Sequence, residues 1–259
     1  MVTLNQKQFA PERLDRLRAA LRQNRMARVE DLCRELNASP ATVRRDLTHL
    51  EQLGEIQRVH GGAVSVDSKI EEPLFDAKTS IASKEKQQIA KAALDFVKPG
   101  DTIYLDGGST VLELARLLRD HTNLTVVTNS LRAALELAGR GPRLILVGGE
   151  LRRLSQTVVG PLTENILREI HVDTAFMGSM GLSSDSGLTT TDPNEAFTKK
   201  RVMDSARQVV VLVDSSKEGK VAFSHAGKLE DVDVLITDGK LSKDFVRSLT
   251  EKKIKVVKA

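Results

Sequence analysis

Two groups of residues in this 259-residue chain have types and spacings suited to chemistry. The first lies in Ser39–Ala63, SPATVRRDLTHLEQLGEIQRVHGGA. Ser39, Thr42, Arg44, Arg45, Thr48 and His49 can all reach phosphates or base edges, and Arg58 and His60 follow shortly after. Arginine in particular fits phosphate or guanine with two parallel hydrogen bonds. The second group is dispersed: Asp106-Gly107-Gly108-Ser109-Thr110, Thr128-Asn129-Ser130, Gly148-Gly149-Glu150, Gly178-Ser179-Met180-Gly181 and Asp214-Ser215-Ser216-Lys217. Glycines let a backbone close on a ligand, and free amides at a helix start attract an anion. Hydroxyls and Lys217 add donors, so the set suits a small polar, phosphorylated ligand.

The first group needs a helix and a hairpin to position it. Ser39 can cap a helix, and Pro40 fits its first position. Val43, Leu47, Leu50 and Leu53 form one apolar stripe, which leaves the basic and hydroxyl residues on the other side. Gly54 is expected to stop the helix, Ile56–Val59 alternates like a strand, and Gly61-Gly62 permits a tight turn. Upstream, Leu14, Leu17 and Leu21 predict a helix over Pro11–Arg22, and Val29, Leu32, Cys33 and Leu36 predict a shorter one. An amphipathic helix with solvated arginines is the plain alternative for Ser39–Leu53 alone. The basic hairpin behind it favours a winged helix-turn-helix on DNA. Asp46 is expected to orient an arginine, because phosphate repels a carboxylate.

The second group needs a sheet. Strand-like runs fall at Thr102–Leu105, Leu124–Thr128, Leu144–Val147, Thr174–Met177, Val209–Val213, Val232–Thr237 and Ile254–Val257. Helical patterns fall between most of them, over Lys84–Val97, Val111–Arg119, Leu131–Ala138, Thr163–Ile170, Glu195–Ser205 and Leu241–Glu251. That alternation predicts an α/β fold, a doubly wound and mostly parallel sheet with helices on both faces. Ligands of such sheets sit beyond the carboxyl ends of the strands, where the small polar residues cluster. Glu195 and Lys199 are four apart on one helix face, which fits either a surface ion pair or a hold on ligand hydroxyls. The expected organisation is a DNA-binding domain over 1–66, a linker over 67–83 with a docking segment around Leu74-Phe75, and a sensing domain over 84–259.

Composition narrows the function. Aromatic content is 3% with no Trp, which disfavours stacking on single-stranded bases. Net charge is +4, compatible with nucleic acid. Of eleven Lys and Arg in residues 1–66, ten are Arg. Cys33 is the only cysteine, so disulfide frameworks and cysteine metal clusters are excluded within one chain, and a small buried thiol is expected. His121, His171 and His225 lack ligand partners at metal spacing. No metal or cofactor is expected. No apolar run reaches membrane-span length and no signal-peptide core is present, so a cytoplasmic protein is expected.

With these residues in view, the chain resembles the DeoR-type transcriptional regulators over nearly its whole length. The resemblance rests on Arg13, Leu17, Leu21, Ser39, Thr42-Val43-Arg44-Arg45-Asp46-Leu47 and the Val59-His60-Gly61-Gly62-Ala63 wing. It continues through Glu72-Pro73, Leu105–Thr110, Thr128-Asn129-Ser130, Gly148-Gly149-Glu150 and Asp214–Lys217. Val111 departs from the pattern where a second threonine is usual, and Lys78 where an arginine is frequent. The resemblance implies a repressor that binds double-stranded operator DNA as a homodimer or homotetramer and senses a phosphorylated sugar or sugar derivative. The sensor domain is similar in fold to ribose-5-phosphate isomerases, whose phosphate loop looks like Gly108-Ser109-Thr110. Met177 and Met180 stand where those enzymes place two acids, and their loop lysine has no counterpart near Asp185-Ser186-Gly187. Binding without turnover is therefore expected. The rival readings are a sugar-phosphate isomerase-like enzyme with an accessory DNA-binding domain, and a DNA-binding scaffold with a ligand-free second domain.

Overall fold

The computed structural model describes residues 10–24, 26–52, 56–59, 62–65 and 72–259. The chain divides into two compact units, Met1–Lys69 and Ile70–Ala259.

In the first unit, helices α1 (Ala10–Asn24), α2 (Val29–Leu36) and α3 (Pro40–Gln52) carry the three predicted apolar stripes. Leu17, Leu21, Leu32, Leu36, Val43, Leu47 and Leu50 are buried together in one core. Cys33 is only half-buried at its edge. Strands β1 (Met26–Arg28), β2 (Ile56–Val59) and β3 (Gly62–Ser65) make an antiparallel sheet in the order β1-β3-β2. Strand β1 was not expected, because three residues are too few to show an alternation. Ser39 Oγ accepts the Thr42 amide at 3.3 Å and so caps α3. Asp46, buried on α3, accepts from Arg13 at 2.6 and 3.1 Å. Leu53 and the expected stop at Gly54 lie outside the described residues.

The second unit begins with α4 (Phe75–Ser80) and α5 (Ser83–Ala93). Two strand–helix repeats and a third strand follow: β4 (Thr102–Leu105), α6 (Ser109–Leu117), β5 (Thr125–Thr128), α7 (Leu131–Leu137) and β6 (Arg143–Leu146). A hairpin, β7 (Glu150–Arg152) and β8 (Thr157–Val159), leads to α8 (Glu164–Arg168) and β9 (Val172–Met177). Then come β10 (Gly181–Ser183), β11 (Gly187–Thr190), α9 (Pro193–Asp204), β12 (Ala206–Leu212) and β13 (Ser224–Gly227). The chain closes with β14 (Val234–Thr237), α10 (Lys243–Glu251) and β15 (Lys255–Lys258).

All seven predicted strands join one parallel sheet, in the order β15-β14-β12-β9-β4-β5-β6. Its central strands are buried on both faces, hence their near-continuous Val, Ile and Leu. Val209, Val211 and Val213 pack on the side of α9 and α10, whereas Val210 and Leu212 pack on the side of α5 and α6. The direction of winding reverses between β4 and β9, which opens a crevice at their carboxyl ends. The β7–β8 hairpin and the small antiparallel sheet β10-β11-β13 were not expected. Each strand in them has three or four residues, too short for a period to register.

Residues 72–82, within the expected linker, are held by the second unit. Phe75 is buried there, while Leu74 and Ile81 are exposed. Glu72 accepts from Arg152 at 2.6 Å, from Thr191 at 2.5 Å and from Lys78. Burial alone would raise the Glu72 carboxyl, but these donors and the charge of Lys78 prevail and hold its pKa at about 2, below the ordinary 4.5. A carboxyl lowered on folding stabilises the fold above its ordinary pKa and loses that contribution as pH falls through the folded value. The stability difference between the native protein and Glu72→Gln should therefore be large at neutral pH and shrink between about pH 4.5 and 2. Chemical denaturation across that window checks it, and a difference independent of pH would contradict it.

Candidate functional site

The crevice at the β4–β9 reversal is a cleft of about 720 Å³, counted to its open mouth, within the usual size of small-ligand sites. Its floor follows from an ion pair. Asp106, at the end of β4, accepts the Gly178 amide at 2.9 Å and the Lys199 ammonium. Lys199 also donates to the Gly178 carbonyl at 3.0 Å. β4, β9 and α9 are thereby tied at one point. The backbones meet closely there, since a Cβ on Gly178 would stand 3.3 Å from the Gly108 Cα. Gly107 is equally constrained, because a Cβ there would overlap the Thr157 side chain of β8.

The cleft is lined by groups of both charges. The first turn of α6 lines it through Gly108, Ser109 and Thr110, with no side chain capping it at Gly108. Lys78, Lys86 and Lys217 line the same cleft. The Lys86 ammonium donates to the Ile81 carbonyl at 2.6 Å and to that of Lys78. Burial depresses the pKa of Lys86, and the nearby Lys217 and Lys78 charges add to it against Asp214. Lys217 is depressed in the same way, by burial first, with the Lys220 and Lys78 charges adding to it against Asp214. An anion bound near these ammoniums would favour their charged forms.

Glu195 also lines the cleft. Asp192 caps α9 by accepting the amides of Asn194 and Glu195 at 2.9 and 3.0 Å, and Pro193 occupies the first turn. That start fixes Glu195 and Lys199 on the face of α9 turned into the protein, where both are buried. They are therefore not a surface ion pair. Lys199 is committed to Asp106, and Glu195 accepts from Thr190 at 2.5 Å. Burial raises the Glu195 pKa, with Lys199 opposing. Burial likewise pulls Lys199 down, but Asp106, Glu195 and Glu72 outweigh it and raise the pKa.

The structure brings Gly107, Gly108, Ser109, Thr110, Gly178, Glu195 and Lys217 together on the cleft, and sets other expected residues apart. Asp106 lies beneath the cleft. Thr128 is fully buried and donates to the Leu105 carbonyl at 2.6 Å. Asn129 donates to Val158 O at 3.0 Å, and Ser130 caps α7 through the Ala133 amide. The β7–β8 hairpin covers this strand end, pairing Ser130 with Thr157. Gly149 and Glu150 are exposed at the start of that hairpin and do not line the cleft. Ser179 and Asp214, at two of the predicted strand ends, line it as well, whereas sequence reasoning missed Lys78, Lys86 and Thr190 as lining residues. The Glu72-Pro73 motif, the expected docking segment at Leu74-Phe75 and Lys78 itself, where the family frequently has arginine, were the available signals for the segment carrying Lys78. Met177 packs in the core and Met180 lines the cleft; a thioether takes no proton from a substrate.

In the first unit, Arg44, Arg45 and His49 are exposed on α3, opposite the buried Val43, Leu47 and Leu50. Thr48 donates to the Arg44 carbonyl at 2.9 Å, and Thr42 is half-buried beside Ser39. Arg58 falls on β2, and His60 lies outside the described residues. No helix among the described residues is long and apolar enough to cross a membrane.

Comparison with known proteins agrees with both halves. Residues 13–69 match the family model of the DeoR-like helix-turn-helix domain, and residues 81–239 match that of the DeoR C terminal sensor domain. The chain is 38% identical to the HTH-type transcriptional regulator YulB of Bacillus subtilis, over 88% of this chain and 89% of that one. It is 37% identical to the HTH-type transcriptional regulator GlpR of Haloferax volcanii, over 88% and 90%. Identity to the glycerol-3-phosphate regulon repressor of Escherichia coli is 33%, again over 88% and 90%. Among solved structures, ribose 5-phosphate isomerase A of Methanocaldococcus jannaschii aligns with TM-score 0.40 and 25% identity. That alignment covers 52% of this chain and about half, 54%, of the enzyme. The relatives spanning both units are regulators and not enzymes, and the chain belongs to the DeoR family of DNA-binding transcriptional regulators.

Proposed function

We propose that the protein is a repressor of a carbohydrate-utilisation operon, released from its operator by a phosphorylated sugar or sugar derivative. The observation that carries this reading is one cleft lined by an uncapped helix start, by Lys78, Lys86 and Lys217, and by the buried Glu195. A phosphate group suits the α6 amides, Ser109, Thr110 and Lys217, because amides at a helix start and ammonium groups both favour an anion. Sugar hydroxyls suit Glu195, a buried acceptor. Relatives named as a glycerol-3-phosphate regulon repressor and an aga operon repressor support repression and a sugar-related signal.

For DNA, we take α3 as the recognition helix. Arg44 and Arg45, with Thr42, Thr48 and His49, would face the major groove, and Arg58 and His60 on the wing would grip the backbone or minor groove. Ser39 would act through the cap it provides and through phosphate. Asp46 is engaged by Arg13 and stays out of the groove. A homodimer or homotetramer in the cytoplasm would present paired α3 helices to repeated half-sites.

The recognition role of α3 has a direct test. Arg45→Ala should weaken binding to the native operator by about 1–3 kcal/mol and relax discrimination at one base position. Titration of operator variants in a gel-shift or anisotropy assay reads both quantities. Unchanged affinity and unchanged base preference would remove Arg45 from the reading surface.

A further inference from the structure

The segment 72–82 follows directly on the first unit, which ends at Lys69. Residues 70–80 lie between the two matched family domains, 13–69 and 81–239. The segment is fastened chiefly by charge. Its buried apolar anchor is Phe75, while Leu74 and Ile81 are exposed. Four polar ties do the rest. Glu72 is held by Arg152 and Thr191. Asp76 accepts from Arg132 at 2.5 Å. The carbonyls of Lys78 and Ile81 accept from Lys86. The same segment contributes Glu72, Pro73, Lys78 and Ile81 to the cleft wall.

Lys78 and Lys86 therefore have two tasks: they hold the segment, and they face the cleft. With Lys217 they place three ammonium groups along one cleft. Lys78 stands on the segment, where it pairs with Glu72, whereas Lys86 and Lys217 belong to the body of the unit. Lys86 reaches across to the segment's carbonyls. An anion seated among the three would add a further tie between the segment and the body.

We propose that residues 72–82 form a strap that an anionic ligand clamps onto the sensor unit, bridging Lys78 on the strap to Lys86, Lys217 and the first turn of α6. Occupancy of the cleft then sets how firmly the chain leaving the DNA-binding unit is held. The inference rests on the cleft being the effector site, and it adds the route by which occupancy is felt outside it. A ligand that tightens the strap must bind more weakly when the strap is loosened, by the same factor.

Hydrogen exchange on the full chain, with and without inorganic phosphate as the probe, tests this. The expected result is severalfold slower exchange in two places, the start of α6 and residues 72–82. Protection at α6 alone would overturn the strap and leave the cleft as an anion site. Protection at neither would overturn both. In Lys78→Met, phosphate should protect the start of α6 only at a higher concentration than in the native protein, and at saturation it should no longer slow exchange in 72–82. If 72–82 is protected as before in that variant, the assigned bridge is wrong.

Discussion

The buried pair between Asp106 and Lys199 is the contact on which the sensor unit turns. Both residues are almost fully enclosed, and taking two charges out of water costs several kcal/mol each unless geometry returns it. Here the return comes from a closed set of bonds. Asp106 takes the Gly178 amide as well as the ammonium, and Lys199 gives a second hydrogen bond to the Gly178 carbonyl. The end of β4, the end of β9 and the helix α9 meet at that set. It stands where the order of the sheet reverses, so it serves as the floor of the cleft. A hydrophobic pair could fill the space but could not fix the Gly178 backbone against Gly108.

From that floor the electrostatics of the cleft follow. Lys199 is neutralised from below and has little charge left for a ligand, whereas Lys86 is satisfied only by carbonyl oxygens. Glu72 is pinned by Arg152 and Lys78 and stays ionised well below neutral pH. Glu195 is buried without an equally close cation and is raised. The cleft thus combines ammonium groups and an uncapped helix start with a buried carboxyl. The proposed ligand, with a phosphate and hydroxyl groups, is matched to that combination.

Much of this architecture is legible in the sequence, and the parts that are not share a physical cause. The central strands of the main sheet are buried on both faces, and each of the seven strands carries at least a short apolar run that reads as a strand even where its ends shift by a residue or two. The stripe of α3 and the role of Asp46 follow from spacing and charge alone, and Arg13 is where that reasoning requires an arginine. The β7–β8 hairpin leaves no period to read, yet it decides that Thr128, Asn129 and Ser130 turn into the structure instead of toward a ligand. The spacing of Glu195 and Lys199 signals a shared helix face but not whether that face is wet. Arg152 meets its partner Glu72 only through the fold, and the cleft that Lys78 and Lys86 line is likewise assembled only by the fold. Their meaning is tertiary, and no local pattern encodes it.

The central claim is that occupancy of the cleft and operator binding by α3 are energetically linked within one chain. The most direct measurement is operator affinity of the full chain, with and without a sugar phosphate selected for binding to it, paired with ligand affinity with and without operator. The account predicts that ligand weakens operator binding and that operator weakens ligand binding by the same factor, as linkage requires. It also predicts that both effects vanish together in Lys217→Met. A ligand that binds the cleft while leaving operator affinity unchanged would contradict it.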